Sequence, residues 1–134
     1  MDIRTLTASL SVGPQVSPGD VPTLAKLGYR AIICNRPDGE GADQPTFEEI
    51  AVAAREAGLE ARYLPIVAGK VRDEDADAFD KTLAELPGPV LAYCRTGTRS
   101  TTLWSLSRAD KLELPKILAT AKAAGYDMAG VVRR

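Results

Sequence analysis

Residues 94 to 100 read Cys-Arg-Thr-Gly-Thr-Arg-Ser, and they are the part of the chain equipped for chemistry. The run sets a thiol beside two guanidinium groups, a glycine and three hydroxyls. A short apolar stretch, Val90 to Tyr93, delivers the cysteine, and a helix-compatible stretch begins at Ser100. That order places the thiol at the carboxyl end of a buried strand and at the amino end of a helix. Unpaired N–H groups and the helix dipole favour negative charge there. Thiols in such surroundings titrate at roughly 3.5–7.5, against about 8.5 for a free thiol. The chemistry this suggests is attack by sulfur on an anionic substrate. Cys94 is the candidate nucleophile and Arg99 the candidate clamp. Arg95, Thr96, Gly97, Thr98 and Ser100 are candidate substrate contacts. Gly97 also supplies backbone geometry that other residues resist. Ser100 either caps the helix or donates to the sulfur.

Composition narrows the alternatives. The chain has 134 residues, enough for one domain, expected over 1–134. Seventeen basic residues face eighteen acidic ones, and the near-neutral balance points to no nucleic-acid or membrane-surface partner. Histidine is absent. A Ser-His-Asp triad, a Cys-His pair and a histidine-bearing metal site are therefore excluded within the chain, and neither metal nor cofactor is expected. Two cysteines are too few for a disulfide scaffold. Cys34 reads as core filler at the end of a strand. The first residues lack a signal-peptide pattern, and no apolar run reaches membrane-spanning length. A cytoplasmic location is expected.

The elements that must position the loop follow from periodicity and turn chemistry. Ile3–Leu6 and Leu10–Val12 read as a hairpin. Ser17-Pro18-Gly19-Asp20 opens a helix that runs to about Leu27. Tyr29–Cys34 is a buried-type strand, followed by a polar loop over residues 35–41. Thr46 and Glu49 have capping-box spacing before a helix that ends at Gly58. Leu59–Ile66 is a strand, residues 67–71 a loop, and Asp73–Leu86 a helix whose first acids answer its dipole. Val90–Tyr93 is the strand before Cys94. Helices follow over 100–108 and from Leu114 to Ala124. Tyr63 and Trp104 read as core residues. Alternating strands and helices predict a single α/β domain with a mainly parallel central sheet flanked by helices. Sites in such sheets form at the strands' carboxyl ends. Three loops should meet there: 35–41, 67–71 and 94–99. Arg36 and Asp38 are therefore further candidate substrate contacts.

The loop Cys94–Ser100 resembles the phosphate-binding loop of cysteine-dependent tyrosine and dual-specificity phosphatases. Most of the chain is similar to the phosphatase-like domain of beta-lactamase-hydrolase-like proteins, through residues 33–40, Tyr63 to Gly69, 86–100 and Ala124-Gly-Tyr-Asp at 124–127. The resemblance implies a dual-specificity-phosphatase-like fold. Relatives of this domain occur fused to sulfur dioxygenase-like domains or sulfide oxidoreductases, which implies sulfur chemistry and partners of those kinds.

Three features depart from the phosphatase pattern. Four residues separate Cys94 from Arg99, where phosphatases have five, and rhodanese loops share the shorter spacing. Tyr93 replaces the histidine that precedes the phosphatase cysteine. The expected general acid is missing from residues 67–70, and no acid follows until Asp73. Asp38 or Glu40 could substitute. Sulfite or thiolate leaving groups need no acid, so the favoured expectation is a rhodanese-like sulfurtransferase. It would move sulfane sulfur from thiosulfate or glutathione persulfide to a small thiol through a Cys94 persulfide. The alternative is phosphoryl transfer through a Cys94 phosphocysteine. A third reading is a module that binds an anion or carries sulfur.

Overall fold

The structure, a computed structural model, describes residues 1–132. Residues 133 and 134 of the expected domain lie outside the described residues. A hairpin of β1 (Arg4–Thr7) and β2 (Leu10–Gly13) opens the chain. A 3-10 turn over Pro18–Asp20 leads into α1 (Val21–Lys26). Ser17 and Asp20 exchange side-chain and backbone hydrogen bonds as a capping box, so the chain turns where the sequence predicts. There follow β3 (Ala31–Cys34), α2 (Phe47–Ala57), β4 (Glu60–Tyr63), α3 (Asp73–Glu85), β5 (Val90–Tyr93), α4 (Thr98–Ser107) and α5 (Leu114–Ala123).

The five strands lie in the order β1-β2-β5-β3-β4, and every pairing except β1 with β2 is parallel. Strand β5 is central and buried along its whole length, as parallel strands covered on both faces must be. Its side chains alternate between two cores. Val90 and Ala92 pack with Ile33, Phe79, Leu103, Trp104 and Ile117. Leu91 and Tyr93 pack with Ile32, Cys34, Leu24 and Ile50 on the other face. Each fully buried Leu, Ile or Phe contributes about 1.5–3 kcal/mol. Salt bridges from Arg108 and Lys111 to Asp80 tie the end of α4 to α3.

Register fixes where the loops emerge. Tyr93 stands opposite Gly13 on one side and Cys34 on the other, and Cys34 stands opposite Tyr63. Four parallel strands thus end on one line across the sheet. Strands β3 and β4 are shorter than periodicity suggests, because their ends pass directly into loops. Tyr63 is not a core residue. It lies on the edge strand, 38% exposed, with its ring stacked on Phe47 at 4.9 Å. Helix α4 begins at Thr98, two residues before the expected start. Among the described residues, no helix is long and apolar enough to cross a membrane.

Candidate active site

The backbone reaches Cys94 with its amide bonded to Gly13 O at 3.3 Å, while Asn35 N donates to Tyr93 O at 2.8 Å. The backbone at Cys94 is therefore fastened to both neighbouring strands. Gly97 adopts φ +95 and forms the N-cap of α4. Only glycine takes that conformation at little cost, and it lets the loop turn back over the cysteine. Gly97 N donates to Cys94 Sγ at 3.1 Å. Cys94 is 1% exposed, so its sulfur lies beneath the loop with a main-chain donor on it.

Helix α4 carries a polar sequence yet is buried from Arg99 to Ser105. Two of its threonine hydroxyls are satisfied within the helix itself. Thr101 Oγ1 donates to Gly97 O and Thr102 Oγ1 to Thr98 O, both at 2.8 Å. These bonds brace the first turn of the helix against the loop.

Arg99 is 8% exposed and held on three sides. One terminal nitrogen donates to Glu40 Oε2 at 2.8 Å and to Ile66 O at 2.9 Å, and the other to Glu40 Oε1 at 2.8 Å. Three of the five guanidinium N–H groups are engaged there, which leaves two for the sulfur and a bound anion. The bond to Glu40 pushes Arg99 further above the ordinary arginine range, against the opposing effect of burial, and negative charge on Cys94 adds to it. Arg99 is thus a fixed cation beside the sulfur. Glu40 also accepts from Arg36 Nε at 3.1 Å, and Arg36 in turn donates to Gln15 Oε1 at 3.0 Å. Arg99 first, and Arg36 after it, hold the Glu40 carboxyl below the usual carboxylate range although partial burial opposes them. Glu40 is an anchor for Arg99 rather than a proton donor.

Two cavities open over the loop. The larger, about 660 Å³, is lined by Arg95, Thr96, Thr98 and Arg99, by Asp73 and Val71, and by Leu106 and Val131 among others. The smaller, about 620 Å³, lies between Arg36, Glu40, Gly41, Ala68, Arg95 and Arg99. The three loops after β3, β4 and β5 therefore meet, as the topology requires. Arg95, Thr96 and Thr98 are exposed on this rim, while Gly97 is buried beneath it.

Two candidate contacts are corrected. Ser100 is fully buried, and its hydroxyl donates to Asn35 Oδ1 at 2.8 Å. It does not cap the helix, whose N-cap is Gly97, and its hydroxyl is committed to Asn35, which ties α4 to the end of β3. Asp38 lines neither cavity. Its carboxylate accepts from Phe47 N at 2.8 Å at the start of α2, where the helix dipole favours it. Arg36 reaches the smaller cavity, with its guanidinium engaged by Glu40 and Gln15. Cys34 is core, as expected: it is 2% exposed, burial pushes its thiol up, and Sγ donates to Arg36 O at 3.3 Å.

Some participants escaped sequence reasoning. Asp73 reads as a helix-start acid, yet it lines the larger cavity. The general acid sought on residues 67–70 thus has a candidate only a few residues later, at the first residue of α3. Glu40 has no local signal of its partnership with a residue in another loop. The segment after α5 returns over the loop, with Tyr126 donating to Thr96 O at 3.0 Å.

Comparison with known proteins agrees with this geometry. Residues 2–111 match the family described as beta-lactamase hydrolase-like protein, phosphatase-like domain. A beta-lactamase hydrolase-like protein of Xylella fastidiosa strain Temecula1 is 32% identical over 98% of this chain, and the chain spans about a third of that relative, 31% of its length. A "putative phosphatase" from Neisseria meningitidis is 36% identical, covers 97% of this chain and 93% of its own, and superposes with a TM-score of 0.88. Tk-PTP in its active form shares the fold at 16% identity, over 99% of this chain and 88% of its own, with a TM-score of 0.73. The expected sulfurtransferase is overturned by these findings: the family is phosphatase-like, and the Neisseria meningitidis structure at 36% identity is named a phosphatase. The short Cys94–Arg99 spacing sits within that fold and does not make the domain a rhodanese.

Proposed function

The chain belongs to the phosphatase-like domain family of beta-lactamase hydrolase-like proteins, and from that premise we propose that it is a cysteine-dependent phosphoric monoester hydrolase. The observation that carries this reading is the placement of Arg99, clamped by Glu40 and Ile66 O, beside a sulfur that already accepts from Gly97 N. Fixed donors of this kind stabilise charge that develops in a transition state without reorganising.

In the first step the Cys94 thiolate attacks phosphorus. The S–P bond forms as the P–O bond to the leaving group breaks, and Arg99 binds the equatorial oxygens. Asp73, on the wall of the larger cavity, supplies the proton to the departing oxygen. In the second step a water attacks the phosphocysteine, Asp73 takes the water's proton, and inorganic phosphate and thiolate are released. No oxidant or metal is needed. Val71, Leu106 and Val131 give the larger cavity an apolar wall. That wall suits a monoester whose leaving group is a ring.

The test compares p-nitrophenyl phosphate with phenyl phosphate. The wild-type chain is expected to release phosphate from both, and Cys94→Ser from neither. Asp73→Asn should slow phenyl phosphate by about 10²–10⁴-fold and p-nitrophenyl phosphate far less, since the better leaving group needs little protonation. A folded wild-type chain that releases phosphate from neither ester would sink the reading. Equal losses on the two esters would remove Asp73 from the mechanism.

A further inference from the structure

We propose that Tyr126 is a positioning residue for the Cys94 nucleophile, acting through the single peptide unit between Thr96 and Gly97. The inference deepens the phosphatase reading and rests on it only in taking Cys94 as the reacting sulfur. The Tyr126 hydroxyl donates to Thr96 O at 3.0 Å. The N–H of the same peptide, on Gly97, donates to Cys94 Sγ at 3.1 Å. A trans peptide is planar, and its C=O and N–H point in opposite directions. Holding the carbonyl on the tyrosine therefore holds the N–H on the sulfur.

The peptide needs such a hold. Gly97 is permissive, so the plane can turn over and present a carbonyl to the sulfur instead. A carbonyl facing a thiolate is repulsive. Tyr126 prevents that exchange by giving the carbonyl a donor only in the observed orientation. A donor on the carbonyl also polarises the amide and strengthens its N–H bond to the sulfur. The ring lies close over the glycine: a Cβ added at Gly97 would stand 2.9 Å from Tyr126 Cζ. The hydroxyl stays protonated, because burial and then charge on Cys94 both raise its pKa. Tyr126 N is anchored to Ala121 O at 2.9 Å, and the side chain packs against both neighbouring apolar clusters. It lies beyond residues 2–111, the part matched by the family.

The experiment uses the full chain and its Tyr126→Phe variant, which keeps the ring and removes the hydroxyl. Alkylation of Cys94 by iodoacetamide is followed against pH and located by peptide mass, with Cys94→Ser as blank. The variant is expected to melt with the wild type yet to alkylate about three- to tenfold more slowly in mildly acidic buffer, the effect of weakening one charge-assisted hydrogen bond. Its curve should move to higher pH and rejoin the wild type in alkali. The acid limb of kcat/KM should move with it. Superimposable alkylation curves overturn the inference. A variant-free check is the Gly97 amide proton in the wild type, which should be protected from exchange and shift as Cys94 ionises. Exchange at open-loop rates also overturns the inference. If the alkylation curve moves but the wild type hydrolyses no phosphate monoester, the positioning role stands and the phosphatase reading falls.

Discussion

Both carboxylate oxygens of Glu40 meet Arg99, each at 2.8 Å, although the two residues lie 59 positions apart in the chain. A residue of the loop after β3 thereby sets the direction of the guanidinium that faces Cys94. Because Arg36 bonds to the same carboxylate, the anchor is itself anchored. Glu40→Gln keeps the size and removes the charge. Phosphate release should fall about ten- to a hundredfold as Arg99 loses its aim. Steady-state kinetics on p-nitrophenyl phosphate decide this, and an unchanged kcat/KM would refute the anchoring role.

The same pair makes stability depend on acidity in a defined direction. The Glu40 carboxyl titrates lower in the folded chain than a free glutamate does, because Arg99 and Arg36 hold it as the anion. The folded state therefore binds that proton less readily than the unfolded state does. The stabilisation is complete above the unfolded value and is lost as pH falls through the folded one. Urea unfolding of wild type and Glu40→Gln, taken from about pH 6 down to about pH 3, should show a gap that narrows in acid. A gap that stays constant would mean that the ion pair contributes nothing.

Ser100 offers a test of structure without substrate contact. Its hydroxyl is the donor to Asn35 Oδ1, and Asn35 Nδ2 reaches Leu64 O at 3.0 Å. Ser100→Ala should cost about 1–3 kcal/mol by leaving a buried acceptor unmet. The midpoint of urea unfolding should drop while KM for an aryl phosphate holds. A raised KM with unchanged stability would return Ser100 to the substrate site.

Gly97→Ala meets two obstacles at once. The added carbon strikes Tyr126, and φ of +95 is strained for any side chain. A loss of about 1–3 kcal/mol in stability and most of the phosphate release is expected. Wild-type turnover in this variant would show that the loop tolerates another shape.

Leu106 tests the apolar wall. Leu106→Ala should raise KM for an aryl phosphate about tenfold. Inhibition by inorganic phosphate, which has no ring to place, should not change. Parallel rises in both would place Leu106 in the anion site instead.

The sequence carried the skeleton of this site but not its wiring. Cys94, Gly97 and Arg99 were legible because strand, turn and helix signals fall within ten residues, and local order determines local geometry. The meeting of three loops followed from parallel topology. Glu40 and Asp73 were not assignable, since the Arg99 partnership of the one and the cavity position of the other are set by how the loops meet and not by spacing. Asp38 and Ser100 are engaged elsewhere for the same reason: each has a nearer partner, a helix N-terminus and a buried amide. Tyr63 fell outside the core because β4 is an edge strand, which its own composition does not reveal. One missing acid and one missing loop residue point to sulfur chemistry only when they are separated from the fold that holds them.

The strand order divides labour within the domain. The Cys94 sulfur follows directly on the middle strand, whose neighbours on both sides fix its height and angle. The apolar cavity wall comes from α4, from the segment after α5 and from the loop after the edge strand β4. Drift along that rim can re-tailor which molecules are admitted while the inner machinery stays untouched. A chain of this design can change clientele without changing trade.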